Sequence, residues 1–307
     1  MNITKATASY EKWIRNYTPL LEDDLALKHE HMARDPFLFF RGTFYRWAQT
    51  FDALCPDAAK APVVLAVGDL HIENFGTWRD AEGRLVWGVN DFDEAARLPY
   101  TNDLVRLLVS AQLAGEANHL HITADDAGAA ILHGYTAGLT AGSEPFVLDQ
   151  DHPDLRAMAT SVLRDPAHFW GAMHALPDAD KAHIPTHALR ALADTLPRGS
   201  TPPRYKRRVA GMGSLGHPRF CAIARFEGGD VCRETRPLTP STDQWVNGTT
   251  DPPLYNVIVS GAVRAQDPFL SFHAGWIARR LAPFCTRIEL AGLDNSFPQH
   301  KPVYCYP

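Results

Sequence analysis

Asp69, His71, Glu73 and Asn74 follow directly on the apolar run Val63–Val67, and a second polar group, Asn90-Asp91-Phe92-Asp93-Glu94, follows the apolar stretch Leu85–Val89. Carboxylate and amide oxygens are the hard ligands magnesium prefers, and the ion usually completes its shell with waters and substrate phosphates. Asp69 and Asn74 leaving one strand, and Asp91 and Asp93 leaving its neighbour, therefore suit phosphoryl transfer. An isolated Asx pair more often caps a turn; two such groups after paired apolar strands weaken that explanation. Asp69-Leu70-His71 can also be read as the start of a two-metal phosphoesterase site, although the Asn-His-Asp segment expected to follow is missing.

A third group is Gly211-Met212-Gly213-Ser214-Leu215-Gly216, a GxGxxG pattern whose backbone amides can cradle phosphates. The same glycines also suit a tight β-turn that needs positive φ. A dinucleotide-binding fold is disfavoured, because a β-rich strand follows where a helix should begin. The histidine pairs His29/His31 and His119/His121 fall in expected helices and lack a zinc spacing.

The elements that must position these groups follow from periodicity. Residues 10–54 read as two helices broken at Asp35-Pro36. Val63–Val67 is too short and too apolar for anything but a buried strand. The turn Asp80-Ala81-Glu82-Gly83 leads into a returning strand, so that the pair forms a hairpin. Residues 101–120, with Leu104, Leu107, Leu108, Ala111 and Leu113 on one side, and 124–139 form two packed helices. PRGSTPP, residues 197–203, marks a lobe boundary. Beyond it come a basic strand, the glycine loop, a strand over Arg219–Phe226, a Gly228-Gly229 turn and a further strand. Helical signals span Leu254–Leu281, and the C-terminal PQHKPVYCYP reads as the end of a truncated lobe. The expected fold is α+β: a mainly helical region over 1–199, a small antiparallel β lobe over 200–248 and a closing helical segment over 249–307.

A formal net charge of −5 gives no electrostatic footprint for nucleic acid or acidic lipid. The five cysteines show no CxxC spacing, so neither a disulfide framework nor a zinc ribbon is expected. The charged N-terminus has no apolar signal core and no stretch is long enough to span a bilayer, which points to the cytoplasm.

Gly68-Asp69-Leu70-His71-Ile72-Glu73-Asn74 resembles the catalytic loop of aminoglycoside and choline phosphotransferases within the protein-kinase-like superfamily, and Asp91-Phe92-Asp93 resembles the kinase DFG segment. A closer resemblance is to a bacterial family of unknown function, numbered 2252 and placed among kinase-like proteins. It rests on Asp35–Gly42, Gly68–Gly76, Asn90–Glu94, Asp103 with Arg106, and Gly211–Gly216, and it covers most of the chain. It implies ATP and magnesium as ligands and a circularly permuted two-lobe fold, since Asp69 precedes the glycine loop. Asp69 would be the catalytic base and Asn74 and Asp91 the metal ligands, with Asp93 in reserve. Gly211, Gly213, Ser214 and Gly216 would cradle the phosphates.

One departure stands out. Kinases carry a phosphate-pairing lysine on the strand after the glycine loop, and Asp230–Arg236 contains none. Arg233 or Arg236 must then substitute; three positions apart, they should face opposite sides of a pleated strand, and Arg233, directly before Glu234, is favoured. The lost lysine also suits a non-catalytic nucleotide-binding module. The acceptor hydroxyl, on a small molecule or a protein, has no readable motif.

Overall fold

The N-terminal region folds as four helices where periodicity suggested two: α1 (Ile3–Ile14), α2 (Glu22–Arg34), α3 (Pro36–Gly42) and α4 (Phe44–Leu54). The break at Asp35 has the expected cause. A residue before proline avoids the α region, and Asp35 is extended at φ −136°, ψ 122°. Its carboxylate then accepts the Leu38 amide at 2.7 Å and caps α3. In this computed structural model, residues 2–117, 123–142, 144–149, 152–161 and 165–286 are described. The C-terminal tail, His119 and His121 lie outside them.

Strand β1 (Val63–Ala66) is followed by β2 (Phe75–Arg79), β3 (Leu85–Val89) and β4 (Ala96–Pro99). The hairpin is β2–β3 around the turn at 80–83, and β1 pairs with β4 in a separate two-stranded sheet. The first strand is consequently not buried at its start, where Val63 is 62% exposed. Helices α5 (Tyr100–Ala117) and α6 (Ala124–Ala141) pack together as expected. Strand β5 (Phe146–Val147) adds to β3, and α7 (Pro153–Ser161), α8 (Pro166–Ala175) and α9 (Thr186–Thr195) follow.

After the proline-rich boundary come β6 (Arg204–Arg207), β7 (Phe220–Phe226) and β8 (Gly229–Pro237), then α10 (Thr242–Asn247), α11 (Tyr255–Gly261), β9 (Ser271–His273) and β10 (Trp276–Leu281). The expected closing helix over 254–281 is thus one short helix and two strands. These complete a five-stranded antiparallel sheet in the order β6-β7-β8-β10-β9, so the sheet extends well past residue 248. The glycine loop joins β6 to β7, and α9 packs against β8, β9 and β10. Among the described residues the fold is α+β, with eleven α-helices and three antiparallel sheets, and no helix is long and apolar enough to cross a membrane.

Candidate functional site

The loop 67–74 is held by one buried polar stripe on α5. Asn102, Asp103, Arg106 and Ser110 recur at helical spacing and all are buried. Asp103 accepts the Val67 and Gly68 amides at 2.7 and 2.9 Å. Asn102 donates to the Gly68 carbonyl at 3.1 Å, and Ser110 accepts the Ile72 amide at 2.9 Å. Arg106 donates to Asp69 Oδ1 at 2.6 Å and to the Phe40 carbonyl at 3.0 Å, with its guanidinium over the Phe40 ring. Of the apolar residues expected on one face of this helix only Leu107 is buried, and Leu113 packs partly buried against the same core. Gly68 permits the turn: its φ is +85°, and a Cβ there would lie 2.2 Å from the Glu94 carbonyl oxygen.

Asp69, Asn74, Asp91, Asp93, Gly211, Gly213 and Ser214 all line one cavity of about 330 Å³. Asn74 gives its amide N–H groups to the carbonyls of Asp69 and Asp91, at 3.2 and 3.1 Å, which leaves Oδ1 as its acceptor. Asp91 Oδ1 accepts from Arg236 at 3.1 Å, and Arg236 also pairs with Asp93 Oδ2. Asp93 Oδ1 is buried without a partner. Free oxygens on one amide and two carboxylates fit magnesium, which needs few protein ligands. Among the described residues no group of three or more His, Cys, Asp or Glu could hold a metal.

Charges of both signs line the cavity. Asp69, Glu73, Asp91, Asp93 and Glu94 come from the loops after β1 and β3, whereas Arg208, Arg219 and Arg279 come from the five-stranded sheet and its loops. Those three guanidiniums surround the buried Glu234. Burial pushes the Asp69 carboxyl up, with Arg106 opposing it. Burial also raises Asp93 to about 6 and Glu94 to about 8. At Asp91 burial acts upward too, but the fields of Arg236, Arg279 and Arg219 carry the carboxyl below its ordinary range.

The glycine loop folds over Asp69. A Cβ on Gly213 would be 3.7 Å from the Arg41 carbonyl and 3.9 Å from Asp69 Oδ2. Gly211 and Gly216 have φ of +83° and +102°. Gly216 turns away from the cavity, against Leu20 and Leu25, and its carbonyl accepts the Leu21 amide at 2.8 Å.

The two arginines of β8 do face opposite sides, and Arg233, the favoured one, turns away from the cavity. Arg233 donates to the Thr195 carbonyl at 2.8 Å and stacks on Phe269, away from the cavity. The cause is the pleat: Glu234 and Arg236 share the inner face, and Arg233 takes the outer one. Arg233→Ala should therefore lower stability by about 1–3 kcal/mol in urea titration, with nucleotide affinity unchanged.

Sequence reasoning missed Lys28, whose Nζ donates to the Gly213 carbonyl at 2.7 Å from inside the cavity. A signal was present: Lys28 falls on the stripe Leu25-Lys28-Met32 of α2, where an apolar residue would be expected.

A family model for uncharacterized proteins conserved in bacteria, DUF2252, matches residues 20–161. The match takes in α2, the loop 67–74, Asn90–Glu94 and the polar stripe of α5. It stops before the glycine loop and β8, a narrower span than the resemblance suggested. No curated protein and no solved structure matches the chain.

Proposed function

We propose that the protein is an ATP- and magnesium-dependent phosphotransferase acting on a hydroxyl group, with a kinase-like site in permuted order. The observation that supports it best is the convergence, in one cavity, of a buried carboxylate at Asp69, the free oxygens of Asn74, Asp91 and Asp93, and a glycine loop lying over Asp69. Phe169, Met173, Leu176 and Leu281 give the same cavity an apolar wall suited to a nucleobase.

In this reading Asp69 accepts the proton of the acceptor hydroxyl while its oxygen bonds to the terminal phosphorus and the bond to the departing ADP oxygen breaks. A raised pKa strengthens Asp69 as a base, and Arg106 fixes which oxygen is free by engaging Oδ1. Asn74, Asp91 and Asp93 would hold magnesium, which when bound supplies neutralisation of phosphate charge.

A thermal-shift titration tests the reading. ATP with magnesium should raise the melting temperature, and a chelator should remove most of that shift, since a ligand that binds only the folded state stabilises it. Equal shifts in chelator and in magnesium would rule out the metal site. One observation favours a non-catalytic nucleotide-binding module instead: Arg236 already places a cation on both Asp91 and Asp93. Such a module would bind ATP yet show no transfer to any hydroxyl acceptor.

A further inference from the structure

Among the described residues, most guanidiniums that reach the acidic loops are matched to a carboxylate, and Arg264, which is not, lies over the Trp78 and Phe92 rings. Arg41 pairs with Glu73, Arg106 with Asp69, and Arg236 with Asp91 and Asp93. Arg208, Arg219 and Arg279 share Glu234. The ammonium of Lys28 has no such match. Lys28 is 6% exposed, its ammonium bonds only the neutral Gly213 carbonyl, and among the described residues no carboxylate lies within ion-pair distance of it. Arg280 also lines the cavity without a carboxylate, but it lies between Phe269 and Phe284 and bonds the Arg79 carbonyl.

A buried ammonium with two of its three donors unused is costly unless an anion joins it. The place where that anion would sit is defined. Gly213, to which Lys28 is bonded, is the glycine-loop residue that lies over the Asp69 carboxylate. An anion meeting Lys28 would therefore lie beside the glycine loop, in the cavity that Asp69 also lines. That is where a phosphoryl group in transfer must be.

Resting on the functional reading above, we infer that Lys28 is the phosphate-binding lysine of this site, supplied by helix α2 and not by the sheet. The strand after the glycine loop can then do without a lysine: Arg236 serves the acidic pair and Arg233 the outer packing. The anion recognised is the terminal phosphate of a nucleoside triphosphate.

Lys28→Gln separates this role from a mere tether, because the glutamine amide can still donate to the Gly213 carbonyl but carries no charge. By titration calorimetry in magnesium, Lys28→Gln should bind ATP about ten- to a hundredfold more weakly, the loss of one charge-assisted contact, and bind adenosine as the wild type does. A second measurement uses unaltered protein: ATP, and not adenosine, should protect Lys28 from an amine-acylating reagent, read by peptide mass spectrometry. Wild-type binding of ATP together with undiminished binding by Lys28→Gln, or absence of protection, would overturn the inference alone. Wild-type protein that bound no ATP would overturn the functional reading and this inference with it.

Discussion

Asp69→Asn should lower phosphoryl transfer by about a hundred- to ten-thousandfold, the usual contribution of a positioned general base, while ATP still binds. The substitution preserves size and one acceptor oxygen but removes the site for the acceptor's proton. Asp69 is well placed for that proton because the glycine loop covers it and burial raises its carboxyl pKa.

The same variant changes the electrostatics below the site. Arg106 has a fully buried side chain, and Asp69 is its ion-pair partner. A buried guanidinium that loses its anion typically costs about 3–5 kcal/mol. Asn keeps a carbonyl oxygen for the Arg106 donors, and the guanidinium retains the Phe40 carbonyl and the surrounding aromatic rings. Asp69→Asn should accordingly melt several degrees lower than wild type and still fold. ATP affinity, measured well below the melting point, then separates chemistry from unfolding. Turnover equal to wild type in a variant that binds ATP would refute Asp69 as base.

How much of this was legible in sequence differs by element. The convergence of Asp69, Asn74, Asp91 and Asp93 on one cavity was, because Asp69 and Asn74 are local in the chain and the acidic group after β3 follows its own apolar strand. The strand partners were not. Phe75–Arg79 has no polar alternation and begins directly after Asn74, so β2 was absorbed into the motif and β1 was given the wrong neighbour. The strands at 271–281 lie in the stretch expected to be helical, and there Ile277 and Leu281 do stand four apart among alanine and arginine, good helix formers. Pairing with β8 decides otherwise, and Ala274-Gly275, both at positive φ, make the turn between β9 and β10.

The cations of the site illustrate the other limit. Lys28, Arg106, Arg208, Arg219, Arg236 and Arg279 come from α2, α5, β8, β10 and the ends of the glycine loop, with no common spacing. Only the fold determines which of them meets a carboxylate. Lys28 and Arg106 are charges on buried helix faces, which is a sign of a partner or ligand.

Glu234→Ala should destabilise the protein by about 3–5 kcal/mol, because one fully buried anion holds three guanidiniums together. Arg219 and Arg279 each donate to Glu234 Oε1 at 2.8 Å, and Arg208 takes Oε2. Without the carboxylate, three positive charges lie against one another at the sheet face that lines the cavity. Burial alone would raise the Glu234 carboxyl pKa, but the three arginines outweigh it and hold it well below the usual range. The sign of the pH effect follows. A carboxylate with a depressed folded pKa contributes stability that is fully present above its unfolded value, about 4.3, and is lost as pH falls through the folded value. The gap in unfolding free energy between wild type and Glu234→Gln, whose side chain has nearly the same shape, should be widest at neutral pH and narrow below about pH 4. Urea titrations at pH 7, 5 and 3 measure it. A gap that stayed constant across that range would mean that packing, and not the charge of Glu234, holds the arginines in place.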